Sequence, residues 1–259
     1  MVPFHLPVSR INVLLRQPAG AEDLLLAEAN ACDTELALAL VSRLARPAHG
    51  EVVDFGALSI TDLDASLLGI RRMVLGDPIR TDVVCGADGC GARVDVGFRI
   101  TDYLAHHRPR RARGVAPAGE PGWFVLEGAG VSFRLPSGAD QAALLHVEDA
   151  MGELAARCLE PSDVSARVRR RVESAMEALA PSLRNDLEGL CPECHPTVSA
   201  PFDPQHYVLR ELREHGMFLY EEVHLLASHY HWTEPEILAL PGPRRARYAE
   251  MIHAERGRG

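Results

Sequence analysis

The chain has 259 residues, 47% of them hydrophobic and 24% charged, which suits a soluble globular protein with one sizeable core or two small domains. A formal charge of -9 argues against a protein that coats nucleic acid through its overall charge, although local basic patches remain compatible with it. Apolar runs are only a few residues long, as at Leu36–Val41, too short to span a bilayer.

The start, MVPFHLPVSRINVLL, lacks the basic and continuously apolar regions of a signal peptide, so folding in a reducing cytoplasm is expected. In that compartment the six cysteines point to free thiols or metal ligands before disulfides. Residues 1–10 read as an irregular arm, because Pro3 and Pro7 interrupt regular structure. Ile11–Arg16 is rich in β-formers and is followed by a turn, Gln17-Pro18-Ala19-Gly20. A helix is predicted from Ala21 to about Ala31, with Glu22 and Asp23 at its dipole-positive end. Asp33-Thr34 can cap a second helix through Leu44, and Ser59 opens a third, with Leu63, Leu67, Ile70 and Val74 at helical spacing. Gly76-Asp77-Pro78 ends it. Strands Arg80–Val84 and Arg93–Ile100 then flank Cys85 and Cys90.

Residues 105–122 read as a basic, proline- and glycine-containing linker carrying Arg108, Arg110, Arg111 and Arg113, either solvated or facing an acidic partner. Beyond it the pattern begins again. Val13 to Glu22 (VLLRQPAGAE) is echoed by Val131 to Asp140 (VSFRLPSGAD). Leu44 to Pro47 has a rough counterpart in Cys158 to Pro161. Cys90, Val94, Phe98 and Tyr103 match Cys194, Val198, Phe202 and Tyr207 at one constant spacing. An internal duplication explains both matches most simply. The expected organisation is therefore an arm (1–10), a first unit (11–104), the linker (105–122), a second unit (123–207) and a helical segment (208–259). In the last, Val208, Leu212, Leu219, Val223, Leu226 and Tyr230 form an apolar stripe, and Thr233-Glu234-Pro235-Glu236 is a capping-box start.

The chemistry centres on four cysteines. Cys191-Pro192-Glu193-Cys194 is a two-residue knuckle, and Cys85 to Cys90 is a wider one whose glycines permit the turn. Four thiolates close a tetrahedral zinc site with no position left for water, so Cys85, Cys90, Cys191 and Cys194 are expected to share one structural Zn2+ with sulfurs about 4 Å apart. Unrelated turns with reduced thiols, or a redox CxxC at Cys191, are the alternatives; no strand-helix pattern supports the latter. His195 is a spare donor beside a complete set. Cys32 and Cys158 fall in helical segments and read as buried thiols. His224, His229 and His231 lie among Glu221, Glu222, Tyr230 and Trp232 without the HExxH order, which reads as a packed helix end. No nucleotide-binding or nucleophile-elbow motif is present, so no catalytic residue and no small-molecule substrate is assigned. Arginines cluster at 108–113, at Arg167, Arg169, Arg170 and Arg171, and at Arg244, Arg245 and Arg247. With only 5% aromatic residues, base stacking has little to work with, so nucleic acid is an unfavoured partner.

The stretch from LCPEC through APFDPQHYVLREL to LYEEVHLLASHYHWTEPEILALPGPRRARYAEMI resembles the T-even-phage-type baseplate hub assembly family of contractile phage tails and bacterial contractile injection systems. Glu222, Val223, His224, Leu226, Ala227, Tyr230, His231, Trp232, Glu234, Glu236, Ile237, Leu238, Ala239, Leu240, Arg244, Arg245 and Tyr248 carry the likeness. The segment LLGIRRMVLGDPIRTDVVC in the amino half adds to it; the wider first knuckle and His195 depart from it. The resemblance implies a non-enzymatic role, as a structural or assembly component that meets baseplate, hub or tube proteins in the cytoplasm or within the injection particle. Tyr230, Trp232, Arg244, Arg245 and Tyr248 are the expected partner surface. A zinc-ribbon regulator that binds nucleic acid is the alternative from another class. The expected fold is α+β: two strand-helix-knuckle units joined across one zinc, then a helical segment.

Overall fold

A computed structural model describes residues 1–50 and 52–256. The fold is α+β with small antiparallel sheets. It opens on strand β1 (Val2–His5), which pairs with β2 (Asn12–Leu15), which in turn pairs with β3 (Ala45–Pro47). The first ten residues are thus partly a strand and not an irregular arm. Pro3 is tolerated there because β1 is a sheet edge, where a missing donor does not interrupt a ladder.

Between β2 and β3 lie α1 (Gly20–Glu28) and α2 (Thr34–Leu44). Asp33 caps α2 by accepting from the Leu36 amide at 3.1 Å. Helix α3 (Ile60–Leu75) follows, capped by Ser59 and stopped at Gly76, whose φ of 88° suits a residue without Cβ. It is the central element, with every residue from Thr61 to Arg71 buried. Gly69 lets β1 and β2 lie on it: a Cβ at this position would come within 3.0 Å of the Phe4 ring and 3.1 Å of Leu15. Hairpin β4 (Pro78–Val84) and β5 (Arg93–Arg99) leads into α4 (Ile100–His106).

The expected linker carries strand β6 (Val115–Pro117), the edge of a four-stranded sheet, so residues 105–122 are not a free tether. The Arg110 amide also donates to the Ala178 carbonyl at 2.7 Å, which pins the arginine run to a later helix. Pro117 sits on an edge strand, for the same reason that Pro3 is tolerated. The sheet continues through β7 (Trp123–Leu126) and β8 (Val131–Arg134); after α5 (Gly138–Ala143) and α6 (Ala150–Cys158) it closes with β9 (Leu159–Glu160). Then come α7 (Ala166–Leu179), hairpin β10 (Asn185–Leu190) and β11 (Thr197–Phe202), and α8 (Pro204–His215). Asp203 starts α8 by accepting from the Gln205 and His206 amides at 3.0 and 3.3 Å, so a boundary after residue 207 cuts a helix. Helices α9 (Leu219–Tyr230), α10 (Glu234–Leu238) and α11 (Gly242–Arg256) complete the chain; residues 257–259 of the expected helical segment lie outside the described residues.

Several local arrangements recur. Leu15 of β2 faces Ala45 of β3, and Phe133 of β8 faces Leu159 of β9. Arg16 is paired with Glu22 at 2.8 Å, and Arg134 with Asp140 at 2.6 Å. Glu22 accepts from the Ala19 amide and Asp140 from the Ser137 amide, each at 2.9 Å. Both pairs clamp the turn between a strand and the following helix.

The main core mixes residues from across the chain: Leu63, Leu67, Leu68 and Ile70 of α3 pack with Leu183, Phe202, Val208, Leu209 and Leu212. A second core lies under the four-stranded sheet around Phe133 and Val172, and a third joins α9, α10 and α11 around Leu226, Ile237 and Ile252. Among the described residues no helix is long and apolar enough to cross a membrane.

Candidate metal centre

The two hairpins pack against each other at their cysteine-bearing tips. In the first, the Cys85 amide donates to the Ala92 carbonyl at 2.8 Å and the Cys90 amide to that of Ala87 at 3.0 Å. In the second, the Cys191 amide donates to Pro196 and the His195 amide to Cys191, both at 3.0 Å. Each tip includes left-handed backbone: Gly89 and Gly91 in one, His195 with φ 67° in the other. His195 occupies a turn position that favours glycine, with its ring exposed and outside the sulfur cluster.

All four sulfurs lie within 4.8 Å of one another, slightly wider than the expected 4 Å. Their pairing is reciprocal. Cys85 Sγ is 3.6 Å from Cys194 Sγ, and Cys90 Sγ is 3.8 Å from Cys191 Sγ, so the first cysteine of each tip meets the second of the other. A tetrahedron of metal–sulfur bonds of about 2.3 Å has edges of about 3.8 Å, whereas a disulfide needs about 2.05 Å. The cysteines are free thiols at metal-ligand spacing. Val94, Val198, Ala87 and Ala92 surround them.

Without an ion the four thiols do not ionise together. Amides of Cys194 and Glu193 point at the Cys191 sulfur and hold its thiol down at about 7 despite burial. Cys194 moves the other way: the sulfurs around it, that of Cys90 first, push its thiol well up. The Ala87 amide and the Cys194 sulfur favour the Cys85 thiolate, but burial and the sulfurs of Cys191 and Cys90 raise this thiol overall. Four anions at this spacing repel unless a positive ion sits among them. The set could hold a metal ion, and thiolate donors in general suit the softer ones.

Below the sulfurs the same reciprocity continues in aromatic rings. Phe98 and Phe202 meet edge to face at 5.1 Å, with Tyr103 4.8 Å from Phe98 and Tyr207 5.5 Å from Phe202. Tyr103 donates to the Leu183 carbonyl at 2.8 Å, and Tyr207 to the Arg80 carbonyl at 3.2 Å. Each tyrosine thus ties the helix after one hairpin to the strand entry of the other.

The expected partner surface is revised. Arg245 is 1% exposed and lies inside the protein, donating to Asp23 of α1 at 2.5 Å, to Glu222 of α9 at 2.9 Å and to the Leu240 carbonyl at 2.7 Å. The packing of α11 causes this: Arg245, Ala249 and Ile252 share its buried face. Tyr230, Trp232 and Tyr248 are half-buried and pack on one another, with Trp232 5.1 Å from Tyr230 and 5.2 Å from Tyr248. Arg244 is exposed beside Tyr248. His224, His229 and His231 are exposed; His229 pairs with Glu255 at 3.4 Å, and His231 ends α9 in a left-handed conformation. Cys158 is buried, whereas Cys32 lies between α1 and α2 and is only half-buried.

A buried polar network has no local sequence signal. Gln205 of α8 donates to Asp64 of α3 at 2.8 Å and to Gln141 at 2.9 Å, and accepts from Thr34 at 2.8 Å. Burial pushes the Asp64 carboxyl up to about 7, against the Gln205 bond that favours its charged form. Comparison with protein-family models, with curated proteins and with solved structures finds no match to this chain.

Proposed function

We propose that Cys85, Cys90, Cys191 and Cys194 hold one structural zinc ion, which clasps two copies of one strand-helix-knuckle unit. The observation that carries the clasp is the reciprocal approach of the two cysteine pairs from separate hairpins. The duplication draws support from the shared register of β2–β3 and β8–β9, the two arginine–carboxylate turn clamps and the paired aromatic rings. With four protein sulfurs and no open position, the ion would hold the fold and perform no chemistry. Structural zinc contributes on the order of 10 kcal/mol in small metal-folded domains.

The role proposed for this scaffold is non-enzymatic, as a structural or assembly component of the baseplate of a contractile injection machine. Its support is the sequence resemblance concentrated between Cys191 and Tyr248. Two measurements test the reading separately. Metal analysis of the purified protein should find about one zinc per chain, lost in Cys85→Ser and Cys191→Ser variants. Absence of zinc after purification in its presence sinks the clasp. Co-expression with tube, sheath and spike proteins should yield a complex that survives purification. If the zinc-loaded protein captures none of them, the assembly role fails and the clasp stands.

A further inference from the structure

We propose that the cleft between residues 111–113 and α7 is a binding site for a carboxylate-rich peptide segment of a protein partner. Two arginine runs far apart in sequence come together there. Arg167, Arg170 and Arg171 line one wall from a single face of α7, and Arg111 and Arg113 line the other. The cleft is open to solvent and has a volume of about 540 Å³. The Arg110–Ala178 backbone bond holds the walls together, and Leu126 and Ala175, both buried, lie beneath.

All five guanidinium groups belong to exposed residues, and among the described residues no carboxylate lies within 4.0 Å of any of them. This is unusual company in a chain of net charge -9. Helix α7 also has no acidic residue in its first turn, where Arg167 adds positive charge to the dipole's positive end. Mutual repulsion among the clustered guanidinium groups is relieved by a bound anion.

The cleft's chemistry selects the class of anion. Guanidinium groups grip carboxylates and phosphates alike in bidentate geometry, so the surroundings of the cleft decide between them. No aromatic ring lines the cleft, so single-stranded bases have nothing to stack on. A long duplex would extend past the five arginines over the rest of an acidic protein. A short acidic segment satisfies the arginines without that repulsion, and its methylene groups can rest on Leu126 and Ala175. The cleft shares no residue with the four-cysteine centre.

The test is fluorescence anisotropy of the full-length protein with a labelled peptide alternating Glu with Ala. Its Gln counterpart, a DNA duplex, a single-stranded RNA and inorganic phosphate serve as comparisons. The acidic peptide is expected to bind and the Gln peptide to fail. Arg170→Gln with Arg171→Gln, and separately Arg111→Gln with Arg113→Gln, should each weaken binding about tenfold. Arg210→Gln, outside the cleft, should not. Relieving the charge on α7 should leave the Tm of the Arg170/Arg171 variant unchanged or higher, which separates lost contact from lost fold. Four results overturn the proposal: no binding of the acidic peptide at about 0.1 M salt, tighter binding of DNA or RNA than of the peptide, displacement of the peptide by inorganic phosphate at micromolar concentration, or an equal loss in Arg210→Gln.

Discussion

Replacing Arg245 by Met keeps most of the side chain's length and removes its charge. The wild-type guanidinium is 1% exposed and serves three acceptors on three parts of the chain. Its loss leaves the Asp23 and Glu222 side chains, 11% and 14% exposed, facing each other without a cation. Removing one partner of a buried ion pair costs about 3–5 kcal/mol. Two stranded carboxylates place Arg245→Met within that range at neutral pH, a loss of at least about a hundredfold in the folding constant. Protonation offers partial escape. Burial already pushes the Glu222 carboxyl up, Arg245 holds it down, and Asp23 adds to the rise. Without Arg245 the carboxyl rises further. A folded pKa above the unfolded one means that folding takes up a proton, so this contribution is complete below the unfolded value and lost as pH rises through the folded one. The deficit of Arg245→Met is therefore smaller at pH 5 than at pH 8, and adding Glu222→Gln recovers roughly 1–2 kcal/mol at pH 8. Urea unfolding at both pH values, followed by far-UV circular dichroism and tryptophan fluorescence, measures this; Trp232 packs in the same helical unit. A shift worth less than about 1 kcal/mol, or one equal at both pH values, refutes the reasoning.

Two further titrations have opposite signs. Burial alone would raise Asp140, but bonds from Arg134 and Ser137 outweigh it and hold the carboxyl at about 2. This stability is present above the unfolded carboxylate range and lost as pH falls toward 2; Asp140→Asn should cost about 1–2 kcal/mol at pH 7 and flatten the acid limb of an unfolding profile. Asp64, at about 7, behaves inversely: its contribution is complete below about pH 4 and lost as pH rises through 7. Asp64→Asn should therefore remove a decline in Tm between pH 6 and 8, and an unchanged decline counts against this assignment.

Much of the secondary structure follows from local chemistry. Asp33, Ser59 and Asp203 cap the helices that follow them, and Gly76 ends α3. Thr233 and Glu236 form the capping box expected of them, with the Thr233 amide donating to Glu236 at 2.8 Å. Local chemistry misjudged the prolines: Pro3 and Pro117 marked irregular chain, yet both sit on edge strands, and edge status depends on which strands lie alongside. The cysteine centre is legible for the opposite reason. Knuckle spacing is local, and the count of four thiolates together with the repeated pattern points one knuckle to the other.

The arginines show where local reading runs out and where it had more to give. Arg244, Arg245 and Arg247 look alike as a charge run, yet Arg245 is buried while Arg244 and Arg247 are exposed. Helical period does not separate them, because Arg244 stands over Tyr248 and Met251 at the same spacing as Arg245 over Ala249 and Ile252; packing against α9 and α10 decides which stripe is buried. An arginine on a buried stripe needs buried acceptors, and here they are internal carboxylates. Those carboxylates, Asp23 and Glu222, are unremarkable in sequence, one in the first turn of a helix and the other beside Glu221. The same test applied to Arg167, Arg170 and Arg171 gives the opposite answer. They line an open cleft, and no carboxylate of the described chain approaches them. A buried arginine is accounted for by the fold around it, whereas an exposed cluster drawn from two segments, with no carboxylate beside it, is better explained by something the chain binds.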